Sequence, residues 1–196
     1  MKLLIGITGG IGAGKSAVTD YLRAQGEIVI CADETAKAVV EPGQPGNLAL
    51  REFYGDGFFL PGGKLDRKKL AAYVFGRPDR VVQLNDLLHP IIISTMYEQA
   101  EQYNSRVFLD AALLIQTGMN ETVDYVWLVV AGMETRIQRV MKRDSASREE
   151  VLRRIQSQMS DNEMKPYADE VIENNNTLEE LHQTVSDILK KSNYTR

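Results

Sequence analysis

Apolar and polar positions follow two rhythms along this chain: short unbroken apolar runs and longer stretches with helical spacing. Leu3-Leu4-Ile5-Gly6-Ile7-Thr8 is a run of strand length, and Glu27 to Cys31, Arg106 to Leu109, Tyr125 to Ala131 and the brief Glu170-Val171-Ile172 repeat the pattern. Runs of this length without a polar face read as strands buried on both sides. Between them apolar residues recur three and four apart. Val18, Tyr21 and Leu22 follow the first run, a helical stretch covers about Glu34 to Val40, and a mostly helical block continues to about Tyr103. A long helical stretch is predicted from Glu134 to about Met159, and a closing helix from Leu178 to Lys190. Gly26, Pro42-Gly43-Gln44-Pro45-Gly46 and Leu60-Pro61-Gly62-Gly63 supply the breaks. Strands alternating with helices imply an α/β fold with a parallel sheet covered on both faces. The helical block lies between core strands in chain order, so it reads as an inserted lobe.

One loop carries the most specific chemistry. Gly9 to Ser16 reads Gly-Gly-Ile-Gly-Ala-Gly-Lys-Ser and satisfies the phosphate-loop pattern G-x-x-x-x-G-K-[ST] between a predicted strand and a predicted helix. In that context the backbone N–H groups of Ile11, Gly12, Ala13 and Gly14 converge on an anion at a helix N-terminus. Lys15 then reaches the β- and γ-phosphates, and the Ser16 hydroxyl holds Mg²⁺. The loop predicts a nucleoside triphosphate and transfer of its γ-phosphate.

Such a transfer needs a group to orient or deprotonate the acceptor, at the carboxyl end of a strand. Asp33, two residues past the second strand, fits; its other reading is an N-cap for the helix starting near Glu34. Asp110 ends the third strand and is a candidate Mg²⁺ ligand, or else a strand-ending turn residue. Arg136, Arg139 and Arg143 fall on one face of the long helical stretch. They form either a lid that closes over phosphates or a solvated face.

Bulk properties narrow the partners. A chain of 196 residues, 43 % hydrophobic, buries a sizeable core, while a net charge of −4 argues against a nucleic-acid surface. No apolar run approaches a membrane span, and the N-terminal apolar run ends inside the glycine loop rather than in a signal-peptide pattern. The single cysteine, Cys31, permits no internal disulfide and fits a reducing, cytoplasmic setting. With only His89 and His182 beside it, no cysteine–histidine metal cluster is available. Nothing in the pattern sets the oligomeric state.

From Leu4 to about Asn176 the chain resembles the dephospho-CoA kinase family. The resemblance is carried by Ile7 to Ser16, Cys31-Ala32-Asp33-Glu34, Leu65-Asp66-Arg67, Leu84-Asn85-x-x-Leu88-His89-Pro90, Arg139 with Arg143-Asp144, Arg154-Ile155-x-x-Gln158, and Ala168-Asp169-x-Val171-Ile172-x-Asn174. It implies a P-loop kinase fold in a single domain. The nucleotide core would take about 1–40, 104–133 and 166–196, the substrate lobe about 41–103 and the lid about 134–165. It implies transfer of the ATP γ-phosphate to the ribose 3′-hydroxyl of dephospho-CoA, with Mg²⁺. Asp33 would be the base, Lys15 and Arg139 would stabilise the transferring charge, and Arg143 and Asn174 would lie on the nucleotide side. Arg67, His89, Leu114 and Gln116 would meet the acceptor. Without the resemblance, Arg67 reads as a surface ion-pair partner of Asp66, and His89 as the cap of a helix opening with Pro90. The chain departs from the family pattern Pro-Leu-Leu-Phe-Glu, reading Ala112-Leu113-Leu114-Ile115-Gln116, and Cys31 and Asn176 replace an aspartate and a glycine. Gln116 keeps hydrogen-bonding capacity but no charge. Two alternatives therefore stay open, a kinase for another small hydroxyl acceptor and a weakly active ATP- and CoA-binding homologue. A nucleotide switch is disfavoured by the lack of N-K-x-D and D-x-x-G motifs.

Overall fold

The computed structural model of the chain describes residues 2–74 and 76–191. Residues 1, 75 and 192–196, which fall within the segments expected above, lie outside the described residues. In chain order the elements begin β1 (Leu3–Thr8), α1 (Lys15–Ala24), β2 (Ile28–Cys31), α2 (Ala32–Ala38) and α3 (Pro45–Tyr54). They continue with α4 (Arg67–Val74), α5 (Pro78–Glu101), β3 (Arg106–Asp110), β4 (Tyr125–Val130) and α6 (Met133–Asp144). Last come α7 (Arg148–Gln156), α8 (Asp161–Met164), β5 (Glu170–Glu173) and α9 (Leu178–Leu189). They divide into two compact units, a sheet unit from Met1–Val29 with Tyr103–Arg196 and a helical unit from Ile30–Gln102.

The sheet is five-stranded in the order β2-β3-β1-β4-β5, with β1 parallel to β3 and β4, and β4 parallel to β5. The unbroken apolar runs follow from burial on both faces. On one face Ile5, Ile7, Phe108, Trp127, Val129 and Ile172 pack with Val18 and Leu22 of α1 and with Leu181, Val185 and Ile188 of α9. On the other, Leu128 and Val130 pack with Met164 of α8. Register matters for the chemistry: Asp110, the last residue of β3, pairs with Ile7, two residues before the glycine loop opens at Gly9. Among the described residues no helix is long and apolar enough to cross a membrane.

The stretch expected as one helix from Glu134 to Met159 is two helices. Ser145 takes a left-handed conformation (φ 52°) after α6, and Ser147 opens α7 with a capping box to Glu150. A serine whose hydroxyl binds the N3 amide, with an acid at N3, competes with continuation of the helix and restarts it instead.

The helical unit packs Val39, Val40, Leu50, Leu65, Leu70 and Val74 against the partly buried Leu84, Leu88 and Ile91 of α5. It begins at Ile30 rather than at the 41 expected from the proline-glycine break. The cause is α2, which packs on α5 within this unit. Asn47, buried, donates from Nδ2 to the carbonyls of Val40 (3.1 Å) and Gly63 (3.0 Å), tying the loops around α3. Pro90 lies inside α5, so no helix opens there.

Candidate active site

The glycine loop is shaped by what lies behind it. Gly12 (φ 78°) and Gly14 (φ 98°) occupy the left-handed region, where a side chain is strained. A Cβ on Gly12 would meet the Arg136 carbonyl at 2.7 Å and Val140 at 2.9 Å, and one on Gly14 would overlap Asn174. Helix α1 then opens at Lys15 with no acidic residue in its first turn and no side-chain cap from Gly14. Its first amides and dipole are left for an anion.

Lys15 Nζ is ion-paired with Asp110, which is 6 % exposed at the end of β3. Ser16 stands exposed beside it in the first turn of α1. Thr8, fully buried, donates from Oγ1 to the Ala112 carbonyl (3.3 Å) and so fixes the start of the loop after β3.

The three arginines grouped by spacing have three different environments. Arg136 is 5 % exposed; its Nε donates to the Ile11 carbonyl (2.9 Å) and its Nη1 lies 3.3 Å from Asp161 Oδ1. It is neither a lid tip nor a solvated charge. Arg139 is half-buried, with Nη1 3.4 Å from the Ala13 carbonyl and Nη2 3.3 Å from Asn174 Oδ1. Arg143 is exposed and forks onto Asp144 (2.7 and 3.1 Å), which Arg154 also contacts at 2.9 Å. The hydrogen bond with Asp144 raises the Arg143 pKa and holds the Asp144 carboxyl below the usual carboxylate range. Between the first turns of α6 and α7, Arg148 forks onto Glu134 (2.8 Å twice), and with help from Gln138 lowers the Glu134 pKa to about 2.

Several expected contacts are revised. The Ile11 N–H, expected on phosphate, is committed to Gln158 Oε1 at 2.8 Å. Asn174, expected on the nucleotide side, is 6 % exposed and donates from Nδ2 to the Ala13 carbonyl at 2.9 Å, behind the loop. Leu114 is fully buried against Gly6, so its side chain is a packing group rather than an acceptor contact. Gln116 is exposed.

In the helical unit, Asp33 lies exposed in the first turn of α2, whose N-cap is Cys31, so the N-cap reading of Asp33 fails. Arg67 does not pair with Asp66. It reaches the Lys37 carbonyl (3.1 Å) and Glu41 (3.3 Å), while Asp66 accepts the Lys69 amide at 3.0 Å. His89 sits half-buried in the middle of α5, not at a helix cap. Cys31 is half-buried.

The sequence placed Arg136 on a candidate lid face and Gln158 in the lid resemblance, and assigned neither to the glycine loop that both contact through Ile11. A signal for Arg136 existed: it lies next to Ile137 and four before Val140, on the buried stripe of α6. Gln158 carried no local signal of this contact, because its partner lies 147 residues away.

The sequence that builds this site matches a known group. A family model described as dephospho-CoA kinase matches residues 3–180. This chain belongs to the dephospho-CoA kinase family. A dephospho-CoA kinase of Shouchella clausii is 39 % identical over 96 % of this chain and 98 % of its own length. One of Bacillus cereus is 40 % identical over 98 % of each. The crystal structure of TT1252 from Thermus thermophilus aligns with a TM-score of 0.81 at 35 % identity, covering 97 % of this chain and 98 % of that one. A shikimate kinase from Acinetobacter baumannii aligns with a TM-score of 0.54 at 15 % identity, over 97 % of this chain and 92 % of its own, and shows the fold alone.

Proposed function

We propose that this chain transfers the γ-phosphoryl group of ATP to the ribose 3′-hydroxyl of dephospho-CoA, giving CoA and ADP. The observation that carries the reading is the glycine loop on an uncapped helix N-terminus beside the Lys15–Asp110 pair, in a chain of this family. The P–O bond to the 3′-oxygen forms as the bond from the γ-phosphorus to the bridging oxygen of ADP breaks. Phosphoryl transfer needs positioning and charge stabilisation above all. Amides at the start of α1 hold the phosphates, and Lys15 and Arg139 take up negative charge on the transferring group. Asp33, exposed and without a hydrogen-bond partner among the described residues, receives the hydroxyl proton.

The donor set beside the loop fits Mg²⁺. It consists of hard oxygens only, the Ser16 hydroxyl and an Asp110 carboxylate, and no group of three or more histidine, cysteine or acidic residues able to cage an ion occurs among the described residues. That suits an ion held mainly by phosphate oxygens and water. When bound, Mg²⁺ neutralises charge on the β- and γ-phosphates. Lys15, paired with Asp110 here, exchanges that carboxylate for phosphate as nucleotide enters.

Measuring ADP release from Mg-ATP with and without dephospho-CoA, with the product identified by mass, tests the reading. CoA formed in step with ADP is the expected outcome; ADP release indifferent to dephospho-CoA overturns it. One observation favours a second reading, the exposed Gln116 where the family resemblance leads to a glutamate. A panel of nucleosides and sugar acids separates it, since turnover restricted to one of those assigns a different acceptor.

A further inference from the structure

Both backbone groups of Ile11 are held by side chains from a distant stretch of the chain. Its N–H donates to Gln158 Oε1 at 2.8 Å, and its carbonyl accepts from Arg136 Nε at 2.9 Å. An amide committed to Gln158 is not free for a phosphate, so these contacts shape the loop rather than bind its ligand. The surroundings are close-packed: Arg136 is 5 % exposed, its guanidinium leaves no space for a Cβ on Gly10, and its carbonyl leaves none on Gly12. Its Nη1 also approaches Asp161 Oδ1 at 3.3 Å. The first half of the glycine loop is thus tied, through Gln158 and Asp161, to the segment joining α7 to α8 and to the first residue of α8. That segment is itself ordered by Ser160, whose hydroxyl accepts the Glu163 amide in a capping box.

We infer that Gln158 is a positioning residue for the glycine loop, acting with Arg136 through the Ile11 backbone, so that nucleotide affinity depends on the order of residues 157–161. Removing the Gln158 acceptor leaves the Ile11 N–H unpaired in a part-buried setting, and a loop that relaxes to pair it no longer presents the neighbouring amides preorganised. The second half of the loop is anchored separately by Asn174 and Arg139 at the Ala13 carbonyl. Loss of Gln158 therefore frees one half and leaves the other. The inference rests on the nucleotide reading proposed above but not on the identity of the acceptor.

Amide exchange at Ile11, followed by NMR in the full chain without nucleotide, reads the contact directly. Wild type should protect this amide at least about tenfold relative to an unstructured peptide. Gln158→Met keeps the side-chain length without a strong acceptor. It should lose that protection and weaken ADP binding by about tenfold in calorimetry, with Ile5 and Val129 exchange unchanged. Gln158→Glu, which still offers an oxygen acceptor, should restore protection of Ile11. An unprotected Ile11 in wild type overturns the inference even if a variant fails to fold. So does Gln158→Met with unchanged exchange, or with faster exchange and unchanged ADP affinity. Wild-type protein that protects Ile11 yet binds no ADP overturns the nucleotide reading, and this inference with it, which separates the two failures.

Discussion

The two units of the molecule hold their candidate residues in opposite ways. In the sheet unit Thr8, Asp110, Arg136 and Asn174 are buried, and each is hydrogen-bonded or ion-paired at the ends of β1 and β3 or around the glycine loop. In the helical unit the buried polar residues Thr35 and Asn47 belong to the scaffold, whereas Asp33 and Arg67 are exposed and His89 is half-buried. A buried polar group left unpaired is costly, so the sheet unit has the geometry of its glycine loop set by these internal partners. Surface side chains carry no such constraint and adapt to the molecule they meet. Substitutions in the sheet unit should therefore disturb stability and function together, and those in the helical unit function alone.

The largest effect tests the second half of that contrast. Asp33→Asn should lower kcat by about 10²- to 10⁴-fold, the usual contribution of a general base, with Tm within about 1 °C of wild type. An unchanged kcat in steady-state kinetics removes Asp33 from the proton transfer. Arg136→Met tests the first half. It strands the Ile11 carbonyl and Asp161 and should cost about 3 kcal/mol, a fall of about 6–12 °C in the thermal midpoint for a chain of this size. A midpoint shift under about 2 °C would mean that the loop does not depend on this buried guanidinium. Arg67→Ala should raise the KM for the acceptor by about five- to twentyfold, leaving the KM for ATP and the Tm in place. Equal changes in both KM values would break the division of labour.

The smallest effect lies at the exposed ion pair between the first turns of α6 and α7. Glu134 has its pKa lowered from 4.5 to about 2, first by the hydrogen bond from Arg148 and then by Gln138. A depressed carboxylate stabilises the folded state above its unfolded pKa, and that contribution is lost as pH falls through the folded value. The Glu134→Gln variant should therefore melt slightly below wild type at pH 6, by no more than about 2 °C given solvent screening, with the gap closing between about pH 4.5 and pH 2. A gap that widens on acidification would contradict the pairing. Asp144, Glu150, Glu163 and Asp187 are lowered in the same direction, so acid should loosen several helix ends together.

Much of this was legible in the one-dimensional pattern, because local signals act within a few residues. The run Leu3–Thr8, the glycines, Lys15 and Ser16 identify a strand, a phosphate loop and a helix start from nearest neighbours alone. The alternation of apolar runs with helical stretches determined the α/β class for the same reason. Where a residue's fate depends on a partner far along the chain, the pattern was silent or misleading. Arg136 shared a predicted face with Arg143, yet one is buried beneath the loop and the other forks onto Asp144 in solvent. Gln158 stands 147 residues from Ile11, and Asn174 stands 161 from Ala13. Leu114 lay in a segment expected at the acceptor and instead fills the space that Gly6 leaves open. Sequence alone determined that this chain has a phosphate loop on a parallel sheet. Only the tertiary structure decided which polar groups hold that loop in shape, because burial and hydrogen bonding between distant segments exist only once the chain has folded.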